Sequence, residues 1–153
     1  MKLLVISDSH GSRAQIEKAL ELAEGFDALF HLGDGLRDLP ACVYEAGKPV
    51  FLVKGNGDFT FGEPEEIVTI LGGARVFATH GHRYGVKMGL ERLDSAAVRH
   101  RAELVLYGHT HIPKYELRNG VFTLCPGSCS HYAPCCAIVT VGNGPVTAAM
   151  VKL

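Results

Sequence analysis

Short apolar runs, each closed by a polar cluster that contains glycine or serine, recur through the first part of the chain. The runs at 3–6, 28–32 and 50–53 have the length and continuous apolar character of strands buried on both faces. Apolar residues at helical spacing predict a helix between 12 and 25, and a shorter helix limited by a proline is predicted over 36–44. This βαβαβ order predicts parallel strands joined by right-handed crossovers.

The rest of the chain follows a different pattern. Runs at 67–71 and 75–79 flank a Gly-Gly pair and predict a hairpin. A helix is predicted over 86–100, where apolar residues share one face, and a strand is predicted over 104–107. Later runs separated by turn residues predict antiparallel strands at 115–117, 121–124, 137–141 and 146–151.

Composition narrows the class of protein. A chain of 153 residues that is 47% hydrophobic and 20% charged fits one globular domain spanning 1–153. Its formal net charge is −1 without blocks of one sign, so no general nucleic-acid or acidic-lipid surface is expected. No apolar run reaches the ~18 residues of a membrane span, and the first run is too short for a signal peptide. Five cysteines without CxxC spacing predict buried, reduced thiols and a cytoplasmic location.

Side chains that can bind metals follow five of the predicted strands. They are Asp8 and His10, Asp34, Asn56, His80 and His82, and His109 and His111. If these strands share one sheet, their carboxyl ends lie at one edge, where open α/β sheets bind ligands. In extended chain, residues i and i+2 point the same way, so Asp8 is paired with His10 and His109 with His111. The five clusters therefore predict one shared site.

This set of side chains predicts two metal ions and a phosphate-containing substrate. Two carboxylates, one amide oxygen and at least four imidazoles are too many ligands for one tetrahedral ion, but they suit two divalent ions bridged by a carboxylate. Two such ions together with Asp8 and Asp34 carry a charge of about +2, which a phosphate ester complements. The expected reaction is hydrolysis by in-line attack of a metal-bound hydroxide at Asp34.

The motifs, taken in order, resemble one known family. In chain order they are D-x-H at 8–10, G-D at 33–34, G-N at 55–56, H-G-H at 80–82 and G-H-T-H at 108–111. They resemble the calcineurin-like metallophosphoesterase superfamily, and more closely its small bacterial and archaeal phosphodiesterases. Pro126-Gly127-Ser128 is similar to the family's N-P-G-S signature, with Cys125 in place of asparagine. The resemblance implies an α/β fold of four layers (αββα), a two-sheet β-sandwich flanked by helices.

The resemblance also implies a role for each ligand. One metal would be bound by Asp8, His10 and His111 and the other by Asn56, His80 and His109, with Asp34 bridging the two. Manganese is the leading candidate for both ions. Nickel, iron and zinc are the alternatives, because mixed nitrogen and oxygen ligands do not separate these metals.

One position departs from the family pattern. Many relatives have a histidine after the G-N pair, where it contacts the phosphate or assists the leaving group, whereas this chain has Gly57. Without that acid, phosphodiesters with good leaving groups are the expected substrates. Assistance to catalysis is expected from Asp58, His82 or His131, and contact with the substrate is expected from Asn56, His82 and Arg83. Closing a turn is the alternative role for Asp58, and a surface role is the alternative for Arg83.

A phosphodiesterase acting on a small-molecule or nucleotide-like phosphate ester is the leading functional hypothesis. A phosphomonoesterase or nuclease of the same superfamily is the first alternative, and the lack of a basic patch argues against a nuclease. A metal-binding protein-interaction scaffold is the second alternative, but a scaffold would have no need of all seven ligands. No membrane partner is expected, and assembly into a homo-oligomer is left open.

Overall fold

The computed structural model describes residues 1–60, 62–130 and 132–153. Its helices are α1 (Arg13–Leu22), α2 (Cys42–Glu45) and α3 (Glu91–His100). Its strands are β1 (Lys2–Ile6), β2 (Ala28–His31), β3 (Val50–Leu52), β4 (Glu66–Leu71), β5 (Ala74–Thr79), β6 (Leu104–Tyr107), β7 (Lys114–Arg118), β8 (Val121–Cys125), β9 (Cys135–Thr140) and β10 (Thr147–Lys152). Single 3₁₀ turns span Leu36–Asp38 and His82–Tyr84.

The strands form two five-stranded sheets. The first has the order β10-β9-β1-β2-β3, and β1, β2 and β3 are parallel, as the βαβαβ pattern predicts. The second has the order β4-β5-β6-β8-β7, and β4 and β5 form the predicted antiparallel hairpin. The prediction that the later strands are all antiparallel is wrong for β8, which runs parallel to β6. The chain first forms the edge strand β7 and then turns back at Asn119 and Gly120, which inserts β8 between β6 and β7.

Three apolar clusters join the layers. Leu3 and Val5 of β1 pack between the sheets, whereas the alternate residues Leu4 and Ile6 face α1. This alternation explains why β1 is a continuous apolar run, since both of its faces are buried. A third cluster places α3 on the outer face of the second sheet, with Leu93 in contact with the strand residues. The helix-sheet-sheet-helix order confirms the four-layer sandwich.

Two predicted helices differ from the observed ones. The helix expected over 36–44 is divided by Pro40 into a 3₁₀ turn and α2, because proline interrupts helical hydrogen bonding. The helix expected over 86–100 begins only at Glu91. Gly85 has a left-handed backbone (φ 64°) that ends the preceding 3₁₀ turn. Val86 and Leu90 have helix-like spacing because both pack on the α3 cluster from a loop.

The cysteines are free thiols. Cys125, Cys129, Cys135 and Cys136 are buried, as predicted, but Cys42 is exposed. Burial raises the pKa of Cys129 and of Cys136 to about 12, so both are neutral thiols at physiological pH. Within the described ranges, no helix combines the length and apolar character that a bilayer crossing requires.

Candidate metal centre

Six of the seven predicted metal ligands meet in two groups at one end of the sandwich. The groups are Asp8, His10 and His111, and Asp34, His80 and His109. Within each group, one potential ligand atom per residue lies within 4.8 Å of the others. The seventh, Asn56, lies between Gly55, where an added Cβ would clash with the Asp34 carboxylate, and Gly57, whose N–H donates to Asp34 Oδ1 (2.6 Å). The first group contains the three residues that the resemblance assigns to one metal, and the second contains His80 and His109, assigned to the other, together with the expected bridge Asp34.

The strand ends that supply these residues belong to both sheets. The loops after β1, β2 and β3 come from the first sheet, and those after β5 and β6 come from the second. The simpler expectation of one shared sheet edge is therefore wrong. The two sheets are instead joined at this end, where the His109 N–H donates to Asp8 Oδ2 (3.0 Å) and the His80 Nδ1–H donates to the Leu32 carbonyl (2.7 Å).

Five of the candidate ligands have an unusual backbone conformation. The structure describes seven non-glycine residues with positive φ, and five of them are Asp8, His10, Asp34, His109 and His111. Each such residue costs on the order of 1–3 kcal/mol, and strain of this kind concentrates at functional sites. The assumption of extended chain at these positions is therefore wrong. His109 and His111, expected to point the same way, belong to different groups.

The first group is built around the buried carboxylate of Asp8. Its Oδ1 lies 3.0 Å from Nε2 of His111 and 3.8 Å from Nε2 of His10. Its Oδ2 accepts hydrogen bonds from the Ser7 hydroxyl and the His109 N–H. These two donors fix the carboxylate so that Oδ1 faces the imidazoles.

The second group is built around Asp34 and His80, both buried. The Nδ1–H of His80 donates to the Leu32 carbonyl (2.7 Å), which directs Nε2 toward His109 Nδ1 (3.1 Å) and Asp34 Oδ2 (3.5 Å). A backbone carbonyl that orients a ligating imidazole in this way is a common feature of metal sites. Asp34 Oδ1 accepts a hydrogen bond from the Gly57 N–H (2.6 Å).

The electrostatics of the second group favour a bound cation. Burial favours the protonated carboxyl, but hydrogen bonds from His80 and Gly57 hold the pKa of Asp34 well below its usual range. Burial favours neutral His80, but its contact with Asp34 and the charges of Asp8 and Asp34 raise its pKa. Burial and the neighbouring His80 lower the pKa of His109 to about 4. The group thus holds a fixed anion, which a divalent cation can neutralise in place of a proton.

The donor set fits such a metal ion. Two ring nitrogens and a carboxylate oxygen converge in each group, and these are the ligands of Mn²⁺, Fe²⁺, Ni²⁺ and Zn²⁺ in proteins. Asp34 also interacts electrostatically with His10 of the first group, as expected of a carboxylate that lies between two sites.

Comparison with known proteins identifies the family. Residues 1–144 match the family model of the calcineurin-like phosphoesterase superfamily domain. The chain belongs to the calcineurin-like phosphoesterase superfamily. The probable metallophosphoesterase YsnB of Bacillus subtilis is 32% identical over 129 residues, which cover 84% of this chain and 75% of that protein. The phosphodiesterase YfcE of Escherichia coli is 33% identical, over 85% of this chain and 80% of that protein.

Solved structures of other proteins share this fold. A predicted phosphoesterase from Streptococcus pneumoniae superposes with a TM-score of 0.85 at 32% identity, over 99% of this chain and 88% of that chain. Vps29 from Entamoeba histolytica, in a structure complexed with zinc, superposes with a TM-score of 0.78 at 21% identity, over 99% of each chain. At that identity the second match shows a common fold. The family and fold predicted from the motifs are confirmed.

Asp58 of this calcineurin-like phosphoesterase joins two of the site loops. Its Oδ2 accepts the N–H groups of Asp34 (2.7 Å) and Gly55 (2.9 Å), and its Oδ1 accepts those of Gly35 (2.9 Å) and Leu36 (3.0 Å). Burial favours the neutral acid, but these four donors lower the pKa of Asp58. A carboxylate held in this way is an anion at neutral pH and is poorly suited to donate a proton. The arrangement favours the turn-closing role over the suggested acid.

Four further residues of this calcineurin-like phosphoesterase are predicted to assist catalysis or to contact the substrate, and their surroundings differ. The half-buried ring of His82 lies 5.3 Å from that of His80, and its buried Nδ1 has no hydrogen-bond partner among the described residues. Arg83 is exposed, and its Nη1 lies 2.7 Å from Glu65 Oε2 in a surface ion pair. The Asn56 side chain is exposed. His131 lies outside the described residues. The roles of Asn56, His82 and Arg83 with the substrate stay predictions.

Several further residues support the ligands. The position of His31 before Asp34 predicts a buried partner of Asp34 or a core histidine, whereas a role for Asp38 was not recognised from the sequence. Buried His31 accepts the Gly33 N–H at Nδ1, and its Nε2 lies 3.3 Å from the Ser9 hydroxyl. Ser9 in turn donates to Asp38 Oδ2 (2.6 Å). The Ser128 hydroxyl donates to the Asp8 carbonyl (2.7 Å). The Pro-Gly-Ser motif that contains Ser128 was a usable signal, whereas no local pattern marks Asp38.

Proposed function

We propose that this chain hydrolyses phosphate esters, and phosphodiesters in particular, at two divalent metal ions. The observation that carries the proposal is the meeting of two carboxylate and imidazole groups at one end of the sandwich. The names of the relatives YsnB and YfcE, a probable metallophosphoesterase and a phosphodiesterase, support the same reaction class.

The proposed ligands follow from the two groups. Asp8, His10 and His111 would hold one ion, and His80, His109 and Asn56 would hold the other, with Asp34 between them. Ions bound here would polarise the phosphoryl oxygens and lower the pKa of water, so that hydrolysis proceeds near neutral pH. Asp8 and Asp34 contribute two negative charges against four positive ones, which leaves a site that attracts the anionic phosphodiester.

The protein's own residues keep this arrangement rigid. Ser7 and the His109 N–H hold Asp8, Leu32 O holds the ring of His80, and the Gly57 N–H holds Asp34. Because these three side chains are fixed before the substrate arrives, they need little reorganisation during the reaction. Manganese as the ion in vivo and a cytoplasmic location stay predictions, as does a single domain spanning 1–153.

The proposal is tested by refilling metal-stripped protein with Mn²⁺, Ni²⁺, Zn²⁺ or Mg²⁺. Hydrolysis of bis-p-nitrophenyl phosphate and of p-nitrophenyl phosphate is then measured, beside the His109→Ala variant. We expect metal-dependent turnover of the diester that His109→Ala removes. Turnover of the monoester alone would favour a phosphomonoesterase, and full metal occupancy without turnover of either ester would refute the proposal.

The absence of a side chain at Gly57 has a testable consequence for leaving groups. No acid stands at this position, so we expect p-nitrophenyl diesters to be hydrolysed much faster than alkyl diesters. A Cβ at this position would lie 3.1 Å from Asp34 Oδ1, so any substitution also crowds the proposed bridging carboxylate. Gly57→Ala adds only this crowding, whereas Gly57→His adds the crowding and an imidazole.

The comparison of these two variants isolates the acid. We expect Gly57→His to exceed Gly57→Ala by about tenfold or more on alkyl diesters and to match it on p-nitrophenyl diesters, in line with the ~10²–10⁴-fold range of general acid catalysis. The measurement is kcat for both ester types in both variants. An identical leaving-group dependence in Gly57→His and Gly57→Ala would count against an acid at this position.

A further inference from the structure

A small cleft adjoins the candidate metal centre. It has a volume of about 200 Å³, and its lining includes the candidate ligands His10 and Asp34 together with Arg37 and Phe59. Pockets that hold a whole drug-sized ligand measure roughly 300–1,000 Å³. The cleft therefore has room for one substituent of a substrate whose phosphate lies at the metal centre.

Phe59 occupies an unusual place for a large apolar side chain. It is 81% exposed, so packing in a core does not account for an aromatic residue here. Its backbone is nevertheless held on both sides. Arg37 Nη2 donates to the Phe59 carbonyl (2.9 Å), Lys54 Nζ donates to the Thr60 carbonyl (3.0 Å), and Asp58 is held by its four N–H donors. The structure thus presents an aromatic ring to the cleft from a fixed backbone.

Arg37 is the cation of this cleft. The carboxylates of Asp38 and Asp58 also line it, but Asp38 Oδ2 and both oxygens of Asp58 already accept hydrogen bonds. The guanidinium of Arg37 has five N–H donors, of which the hydrogen bond to Phe59 uses one. Arg37 can therefore bind an anionic oxygen while it holds the Phe59 segment.

We infer that this cleft binds a flat aromatic substituent of the phosphodiester, of which a nucleobase is the biological example. Phe59 stacks on the aromatic ring, and Arg37 donates to an oxygen of the phosphate. Gly57 lines the same cleft and places no side chain in it. The inference rests on the proposed phosphodiesterase function and makes Phe59 a specificity-determining residue.

The test compares two esters with the same leaving group. Thymidine 5′-(p-nitrophenyl phosphate) carries a nucleobase, and methyl p-nitrophenyl phosphate does not, so the ratio of their kcat/KM values reports on the second substituent. We expect Phe59→Ala to lower this ratio on the order of 10-fold, the effect of losing one base-aromatic stack. Phe59→Tyr is expected to retain the ratio. Phe59→Leu, which keeps apolar bulk without a ring, is expected to behave like Phe59→Ala.

Arg37→Gln is expected to change the kinetic constants in a different way from Phe59→Ala. Because both esters carry the phosphate, Arg37→Gln should raise KM for both. The ratio of the two kcat/KM values should then stay closer to that of the wild type than it does in Phe59→Ala.

Val98→Ala on α3 is the matched control, because it removes a side chain that is 68% exposed from another surface. The ratio should be unchanged in that variant.

A binding measurement separates failure of this inference from failure of the proposed function. Thymidine 5′-monophosphate is titrated into wild type and Phe59→Ala by calorimetry, with methyl phosphate for comparison. Binding of the nucleotide that Phe59→Ala weakens about tenfold supports the cleft even if neither ester is hydrolysed, in which case only the hydrolytic function falls. If Phe59→Ala changes neither nucleotide binding nor the ester ratio, the inference is overturned.

Discussion

Replacement of Asp34 with asparagine is expected to reduce metal-dependent hydrolysis of bis-p-nitrophenyl phosphate by about 1,000-fold or more, equivalent to about 4 kcal/mol of transition-state stabilisation. Asparagine keeps the shape of the side chain and can still accept the Gly57 N–H, but it removes the negative charge. That charge lies 3.5 Å from His80 Nε2 and also interacts with His10 of the other group. Its loss should therefore weaken both proposed metal sites at once.

The assay is paired with metal analysis of the purified variant. Asp27→Asn is the matched control, because Asp27 is exposed and its carboxylate accepts only the Lys2 N–H among the hydrogen bonds of the described residues. We expect the control to keep its metal and its activity, while Asp34→Asn loses activity and at least one of two ions. An Asp34→Asn protein with two bound ions and activity within tenfold of the wild type would show that Asp34 is not the bridging ligand.

Replacement of Asp58 with alanine is expected to have the largest effect on stability. It would leave the N–H groups of Asp34, Gly35, Leu36 and Gly55 without their acceptor. At about 1 kcal/mol for each lost partner, the free energy of unfolding should fall by about 4 kcal/mol. Since small domains have a total stability of roughly 5–15 kcal/mol, this is a large fraction. Urea unfolding of metal-free protein measures the difference.

Asp58→Asn provides the conservative comparison. An amide has one acceptor oxygen, so it can satisfy only two of the four N–H groups, and we expect a loss of about half that of Asp58→Ala. Asp27→Ala, which removes an exposed carboxylate, should cost much less. Equal stability of wild type and Asp58→Ala would contradict the role of Asp58 in joining the loops.

The same carboxylate predicts a pH dependence with a defined sign. Because the folded pKa of Asp58 lies below its ordinary value of 3.8, the unfolded chain binds this proton more readily than the folded chain does. The stabilising contribution is therefore present above the unfolded pKa and is lost as the pH falls through the folded pKa. The stability difference between wild type and Asp58→Ala should hold near pH 6 and narrow in acid below about pH 4.

The candidate metal ligands could be located without a structure because a buried strand has a local signature in the sequence. A continuous apolar run such as 3–6 or 104–107 predicts a strand, and a polar cluster after it marks the end at which ligands bind. The order of the motifs was specific enough to indicate the family and, through it, the division of the ligands into two sets. These inferences depend on neighbouring residues and on motif order, and both are present in the linear chain.

The tertiary structure decided how distant segments meet. Asp58 accepts N–H groups from a loop more than 20 residues away, and Arg37 holds Phe59 from a separate turn, relations that no local pattern contains. His109 and His111 both have a left-handed backbone, which the apolar run before them does not indicate. The sequence by itself determined which elements form, the family and the candidate ligands. Only the folded chain decided the insertion of β8, the joining of two sheet ends and the cleft beside the candidate metal centre, because packing and long-range hydrogen bonds override local conformational preference.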